Sequence, residues 1–389
     1  MRVLVTTLPA FGHFYPMVAF SWALRSAGHQ VLVAGPRLIV NEARNAGLAG
    51  TVVSDVSVRD LWAASDDPTG EDNHRPIADL GLEIADRAAT DVLQLCRDWR
   101  PDVVMSDPME FAGPLAAGLA GIPTVSHRWG LHCPDELISS LWESAGPKRR
   151  ALHDRFGIDA AALEPHAVLD TCPPGLRRTE DSSWISMRYV PYCGNAVLPR
   201  WLTEPRAKPR VCVSMSSLPM RQGLEALSTA ARALSDMPVE VVLSGTGSRD
   251  SSLGDLPPNV RAPGWLPHDQ LLSACDAVVH HGGAGSSMVS LTKALPQIVV
   301  PQLGDQFANA EQLERRGIAH RIAVSDLSED AVAEGVERVL EDPAYRNNAA
   351  ELRSEIEAMR SPTRAVAEFE SAARAASTGA TPPEPVPAS

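Results

Sequence analysis

Before residue 35 the chain has already run strand, helix, strand. Arg2–Thr7 is a β-branched apolar run, Met17–Ala27 carries apolar residues at helical spacing and stops before Gly28, and Gln30–Ala34 is apolar and strand-like again. Two strands joined through a helix of that length pair in parallel with a right-handed crossover, which commits the chain to layers of α on β. The pattern returns at Asp102–Ser106 and Ile122–Ser126 and starts afresh at Val211–Ser214. From there the reading is helix Gly223–Leu234, strands Val239–Ser244 and Asn259–Ala262, helix Asp269–Ala274, strand Asp276–His280, a helix over Gly285–Ala294, strand Gln297–Pro301 and a helix from Phe307. Two doubly wound, Rossmann-like parallel-sheet domains are expected, residues 1–198 and 210–375, joined by the polar, proline-marked linker PRWLTEPRAKP at 199–209. Residues 376–389 are expected to be a disordered Ala/Pro/Ser-rich tail. Residues 55–90, mixed in charge and short of periodicity, read as mobile loops beside a site.

A length of 389 residues supports two full cores, and two α/β domains imply a cleft between them. The formal net charge of −13, with no Lys/Arg cluster, excludes a polyanionic partner: neither nucleic acid nor an acidic membrane face is expected. The six cysteines, Cys96, Cys133, Cys172, Cys193, Cys212 and Cys275, have no metal-like cadence and read as reduced thiols of a cytoplasmic protein. The N-terminus reads as a first strand rather than a signal peptide, and no run is long enough to span a bilayer.

The chemistry gathers at HHGGAGSS, His280–Ser287, directly after the apolar run Ala277–Val279. A strand here delivers a glycine turn and two hydroxyls to the start of a helix. Small glycines let main-chain N–H groups approach an anion, and the helix dipole faces the same point. Strand alternation turns His280 to the other sheet face and leaves His281 at the turn. At the other end of the chain, His13 follows Gly12 after the first strand, with its ring directed toward a cleft. An imidazole there can take a proton near neutral pH. Asp107 closes the strand of PDVVMSD, and a carboxylate on one ring nitrogen would fix the tautomer.

PAFGHFYP (Pro9–Pro16) together with GWLPHDQLLSACDAVVHHGGAGSS and PQLGDQFANAEQL (within Gly264–Leu313) resembles the inverting, nucleotide-sugar-dependent glycosyltransferases of GT-B fold, particularly the actinobacterial enzymes that glycosylate polyketide antibiotics. The likeness spans nearly the whole chain, including CPP at Cys172–Pro174 and YVPYCGNAVLP at Tyr189–Pro199. It implies that His281 contacts the donor diphosphate and that Gly282, Gly283, Gly285, Ser286 and Ser287 form the adjoining anion nest. Trp265 would offer an aromatic platform to the nucleobase, Leu266 its backbone, and Asp305 and Gln306 would bind sugar hydroxyls. Ser216 and Ser217 stand where the family usually has a glycine and a small hydroxyl residue, and Ser216 departs from that pattern. His13 and Asp107 match the catalytic dyad. Phe11, Phe14, Trp62 and Trp129 are the candidates for an apolar acceptor pocket, Trp129 within SHRWG.

The resemblance thus implies direct displacement. His13, oriented by Asp107, deprotonates a polyketide-type or aromatic aglycone, which attacks the anomeric carbon of a dTDP- or UDP-deoxysugar with inversion. Neither a cofactor nor a metal is expected, no Asp-x-Asp site being present, and a homodimer is one admissible assembly. C-glycosylation of an aromatic ring, a nucleotide-sugar epimerase and a non-catalytic auxiliary protein remain open alternatives at this level.

Overall fold

Strands as short and uniformly apolar as Val103–Ser106 or Ala277–His280 are stable only in a parallel sheet covered on both faces, and every residue of both is buried. In the computed structural model, which describes residues 1–56, 75–131, 143, 146–158, 163–177, 183–215, 221–245 and 255–378, they lie near the middle of two separate sheets. The first sheet is built from β1 (Arg2–Thr6), β2 (Gln30–Pro36), β3 (Ala49–Ser54), β4 (Val103–Ser106), β5 (Thr124–His127), β6 (Ala167–Asp170) and β7 (Ile185–Ser186). Its order is β3-β2-β1-β4-β5-β6-β7, all parallel. Helices α1 (Phe11–Ser26), α2 (Arg37–Asn45), α3 (Arg75–Trp99), α4 (Ala112–Ala120) and α5 (Gly146–Phe156) accompany it.

The second sheet has the order β10-β9-β8-β11-β12-β13, again parallel, with β8 at Arg210–Ser214, β9 at Glu240–Ser244, β10 at Val260–Gly264, β11 at Ala277–His280, β12 at Gln297–Val299 and β13 at Ala319–Arg321. Its helices are α6 (Arg221–Ala233), α7 (His268–Leu272), α8 (Ala284–Thr292), α9 (Asp305–Arg315), α10 (Glu329–Glu341) and α11 (Pro343–Ala358), and α12 (Pro362–Thr378) ends the described chain. In each sheet the strand order reverses at the centre, between β1 and β4 and between β8 and β11. Open α/β sheets bind ligands beyond the carboxyl ends of the strands at such a point.

Four expectations are corrected. Helix α1 begins at Phe11 rather than Met17, because Pro16 is accommodated inside it instead of starting it, at the loss of one backbone bond to the Gly12 carbonyl. His13 is therefore in the first turn of a helix. Residues 75–90, read as loop, belong to α3. Its buried stripe Ala78, Leu82, Ala85, Ala89, Val92, Cys96 has regular helical spacing, but four of its six members are small and barely mark a hydrophobic face. The second domain does not run unbroken to residue 375. Helix α12 returns to the first sheet, where Ala365, Val366, Phe369, Ala372 and Ala373 join the core around Phe14 and Phe20. Conversely Leu131, Cys172, Leu176, Tyr189 and Cys193, all before the linker, pack into the core of the second sheet. The expected tail from residue 376 is helical to Thr378, and 379–389 lie outside the described residues.

Candidate active site

The two reversal points face one another across a single cleft of ≈ 320 Å³, lined from the first sheet by Leu8, His13 and Trp129 and from the second by Ser214, His281 and Asp305, among others. Asp107 follows β4 directly and is almost fully buried. Its carboxylate accepts the Leu8 and Met109 backbone N–H groups at 2.8 and 2.9 Å and the Thr7 hydroxyl at 2.9 Å, and meets His13 Nδ1 at 3.0 Å. Burial opposes the charge on Asp107, but the facing His13 ring and these donors outweigh it and hold its pKa below the ordinary value. The His13 side chain is 26 % exposed, so with Nδ1 on Asp107 its Nε2 is left to the cleft. Trp129 stands edge-on to the His13 ring, centroids 4.9 Å apart.

Opposite lies the turn after β11. His280 is fully buried and turned away from the cleft: its Nδ1 accepts the Gly282 N–H at 3.0 Å and its Nε2 lies 2.8 Å from Gln297 Oε1, which fixes one neutral tautomer. Burial lowers its pKa to about 3. His281 lines the cleft, and its ring lies so close over Gly283 that a Cβ there would stand 2.5 Å from Nε2. Burial lowers its pKa to about 4, with the Ser214 carbonyl acting the other way, so the ring is a neutral N–H donor at physiological pH. Its Nδ1 has no hydrogen-bond partner among the described residues. Beside it Ala284, Gly285 and Ser286 form the first turn of α8, whose N–H groups have no partner within the helix. Nothing stands within 4 Å of the space a Gly285 side chain would occupy.

Asp305 and Gln306 open α9 at the carboxyl end of β12, and both line the cleft. Burial raises the Asp305 pKa, while Asn309 Nδ2, at 2.9 Å, and the positive potential of His13 favour its charge. The Gln306 side-chain oxygen accepts the Gln302 and Leu303 backbone N–H groups at 2.9 and 3.2 Å. Trp265 is 39 % exposed on the cleft, with Leu266 buried beside it.

Other expected residues lie elsewhere. Phe14 is fully buried in the first core on the inward face of α1, and so cannot meet an acceptor. Ser287 is also fully buried, its hydroxyl donating to the Gly283 carbonyl at 3.1 Å, and Gly282, with φ +86°, packs under Val299 rather than lining the cleft. Trp62, Ser216 and Ser217 lie outside the described residues. Phe11 and Trp129 do line the cleft, joined by Ile77, Leu80 and Ile84 of α3. The three α3 residues sit at helical spacing, which was the available sequence signal. Asn309, which also bonds the Gly282 carbonyl at 2.9 Å, and His268, at the start of α7 with its pKa lowered to about 4 by burial, had none. Among the described residues no group of three or more His, Cys, Asp or Glu is placed to hold a metal ion, and no helix is long and apolar enough to cross a membrane.

Two parallel-sheet domains that present a His-Asp pair and a glycine-turn helix start to one shared cleft define the GT-B architecture. Comparison with known proteins agrees. Residues 22–216 match the N-terminal domain, and 228–371 the C-terminal domain, of the erythromycin biosynthesis protein CIII-like family. The chain is 41 % identical over 332 residues to the L-demethylnoviosyl transferase of Streptomyces niveus, covering 82 % of this chain and 84 % of that one. It is 29 % identical over 399 residues to the 10-deoxymethynolide desosaminyltransferase of Streptomyces venezuelae, covering 91 % and 93 %. Among solved structures, the glycosyltransferase SnogD from Streptomyces nogalater superposes with a TM-score of 0.78 at 30 % identity over 96 % of this chain and 99 % of that one. VinC in complex with DTDP gives 0.80 at 28 % over 96 % and 100 %. The chain belongs to the erythromycin biosynthesis protein CIII-like family and is a glycosyltransferase of GT-B fold.

Proposed function

We propose that this enzyme transfers a deoxysugar from a thymidine or uridine diphosphate donor to a hydroxyl of an apolar polyketide-type or aromatic aglycone, with inversion at the anomeric carbon. The observation that carries the reading is the position of the His13–Asp107 pair directly across one cleft from His281 and the start of α8. The acceptor hydroxyl gives its proton to His13 Nε2 while its oxygen forms the bond to the anomeric carbon. The bond from that carbon to the diphosphate oxygen breaks on the opposite face. Asp107 stabilises the imidazolium as it forms. The leaving diphosphate carries away the bonding electron pair, and its growing charge meets the neutral His281 donor, the open N–H groups of α8 and the dipole behind them. Asp305 and the Gln306 amide hold sugar hydroxyls, and Trp265 stacks on the base.

Support for donor and acceptor comes from relatives. The names of several give a deoxysugar together with a macrolide or anthracycline acceptor, among them tylactone mycaminosyltransferase and aklavinone 7-beta-L-rhodosaminyltransferase. VinC was solved with DTDP and SpnG, at a TM-score of 0.81, with spinosyn aglycone. The apolar wall of Leu8, Ile77, Leu80, Ile84, Met109 and Trp129 suits such an acceptor. Because the charge is met by protein donors, turnover should be unchanged by EDTA. The test is a panel of dTDP- and UDP-deoxysugars against macrolide, anthracycline and phenolic aglycones, with products read by mass spectrometry and anomeric configuration by NMR. An inverted O-glycoside supports the reading. A C-glycoside would move attack to carbon, retained configuration would remove the displacement, and a sugar altered without acceptor would indicate an epimerase.

A further inference from the structure

Phe11, the first residue of α1, meets the edge of Trp265 with ring centroids 5.4 Å apart and 64° between planes. Its ring also stacks on Tyr15, one helical turn on, at 5.3 Å and 11°. Tyr15 is anchored in turn: its hydroxyl donates to Glu42 at 2.7 Å, and its ring meets Tyr192 edge-on at 5.1 Å, with Trp22 closing the row on Tyr192 at 5.5 Å. Gly194, with φ +79°, passes so near that a Cβ would lie 3.2 Å from the Tyr15 hydroxyl and 3.3 Å from Trp265 Nε1, so only glycine fits this seat. Trp265 itself remains 39 % exposed to the cleft. The indole of the second domain is thus braced by a helix of the first, and its brace stands two residues before His13.

We propose that Phe11 is a donor-positioning residue supplied by the acceptor-side domain: it fixes the angle at which Trp265 presents its face to the nucleobase. The proposal rests on the reading of Trp265 as the nucleobase platform, and it differs from a role of Phe11 in the acceptor wall. An aromatic pair of this kind contributes about 0.5–1.5 kcal/mol beyond its buried area, and because it is already formed before the nucleotide binds that sum is a ceiling: losing it should weaken nucleotide binding by up to roughly tenfold.

The test is calorimetric titration of dTDP into the full-length protein as wild type, Phe11→Leu, Phe11→Tyr, Trp265→Ala and the Phe11→Leu/Trp265→Ala double variant, with donor and acceptor KM measured alongside. Leucine keeps apolar volume where alanine would risk the fold. The expected result is weaker dTDP binding and a higher donor KM for Phe11→Leu, recovery in Phe11→Tyr, an unchanged pH profile of kcat, and a double variant no weaker than Trp265→Ala alone. If Trp265→Ala weakens dTDP but Phe11→Leu does not, or if the two losses simply add, the positioning role is overturned while the platform stands. If Phe11→Leu changes only the acceptor KM, the residue belongs to the acceptor wall. If Trp265→Ala leaves dTDP binding unchanged, the platform reading fails and the proposal falls with it.

Discussion

Glu110 lies three residues beyond Asp107, buried, and accepts the Thr6 hydroxyl at 2.6 Å and the N–H groups of Ala112 and Gly113 at 2.7 and 2.9 Å. Burial pushes its carboxyl up to about 7, with the neighbouring Asp107 charge adding to the rise. A folded pKa above the unfolded value of about 4.3 makes a stabilising contribution that is complete below that value and lost as pH rises through about 7. The wild type should therefore lose, between about pH 4.5 and 7.5, a stabilisation that Glu110→Gln never has. Melting temperatures of the two proteins across that range should converge or cross, and parallel curves would sink the assignment. The buried histidines act with opposite sign. His127 and His268 are lowered to about 4 by burial, as His281 is, so the unfolded chain takes up protons first and stability falls as pH drops from about 6.5 toward 4. For activity, His13→Ala should reduce kcat by about 10²–10⁴-fold with dTDP affinity retained. His281→Ala should reduce kcat by about 10²–10³-fold. Rapid-quench turnover with parallel titration of dTDP checks both, and an unchanged rate in either variant removes that residue's role. His13, Trp265, His281 and the Asp305–Gln306 pair were legible because each stands in a short motif marked by Gly or Pro. Asn309 and Glu110 were not, since each is tied down in part by a group far away in sequence, the Gly282 carbonyl for Asn309 and the Thr6 hydroxyl for Glu110.

At the level of elements, the start of α8 offers a controlled contrast between two glycines. Gly283→Ala would place a Cβ 2.5 Å from His281 Nε2, so the imidazole must move, whereas Gly285→Ala meets nothing within 4 Å and projects into the space assigned to the diphosphate. The expected outcome is that Gly283→Ala lowers kcat at least tenfold with little loss of dTDP binding, while Gly285→Ala acts mainly on dTDP affinity, both with near-native melting temperatures. Kinetics and calorimetry on the two variants separate these effects. Equal effects on both parameters would mean that ring position and anion approach are not distinct. Most strands were readable because parallel strands are buried on both faces and appear as plain apolar runs. Helix α3 was not, because alanines and a cysteine form much of its buried stripe while Pro, Gly and Asp punctuate its sequence. The start of α1 was displaced by Pro16 for a related reason: local punctuation outweighed the tertiary contacts that hold the first turn.

Across the whole molecule, two domains and a cleft followed from length and strand pattern, but the return of α12 to the first sheet did not. An amphipathic helix shows that it covers something, never which of two similar sheets. Phe369, fully buried against Phe20 at 5.3 Å between ring centroids, makes the consequence measurable. Phe369→Ala should destabilise by about 3–5 kcal/mol, and hydrogen exchange should quicken in α1, β6 and β7, the elements α12 packs on, rather than in β8–β13. Faster exchange confined to the second sheet would contradict the packing. The same return crossing bears on recombination between relatives. A hybrid joined once within residues 199–209 would carry the N-terminal half of one parent closed by the last helix of another, with mismatched side chains meeting in the first core. Exchanging specificity cleanly calls for two junctions, one in that linker and one near Ser361, so that the terminal helix travels with the sheet it covers.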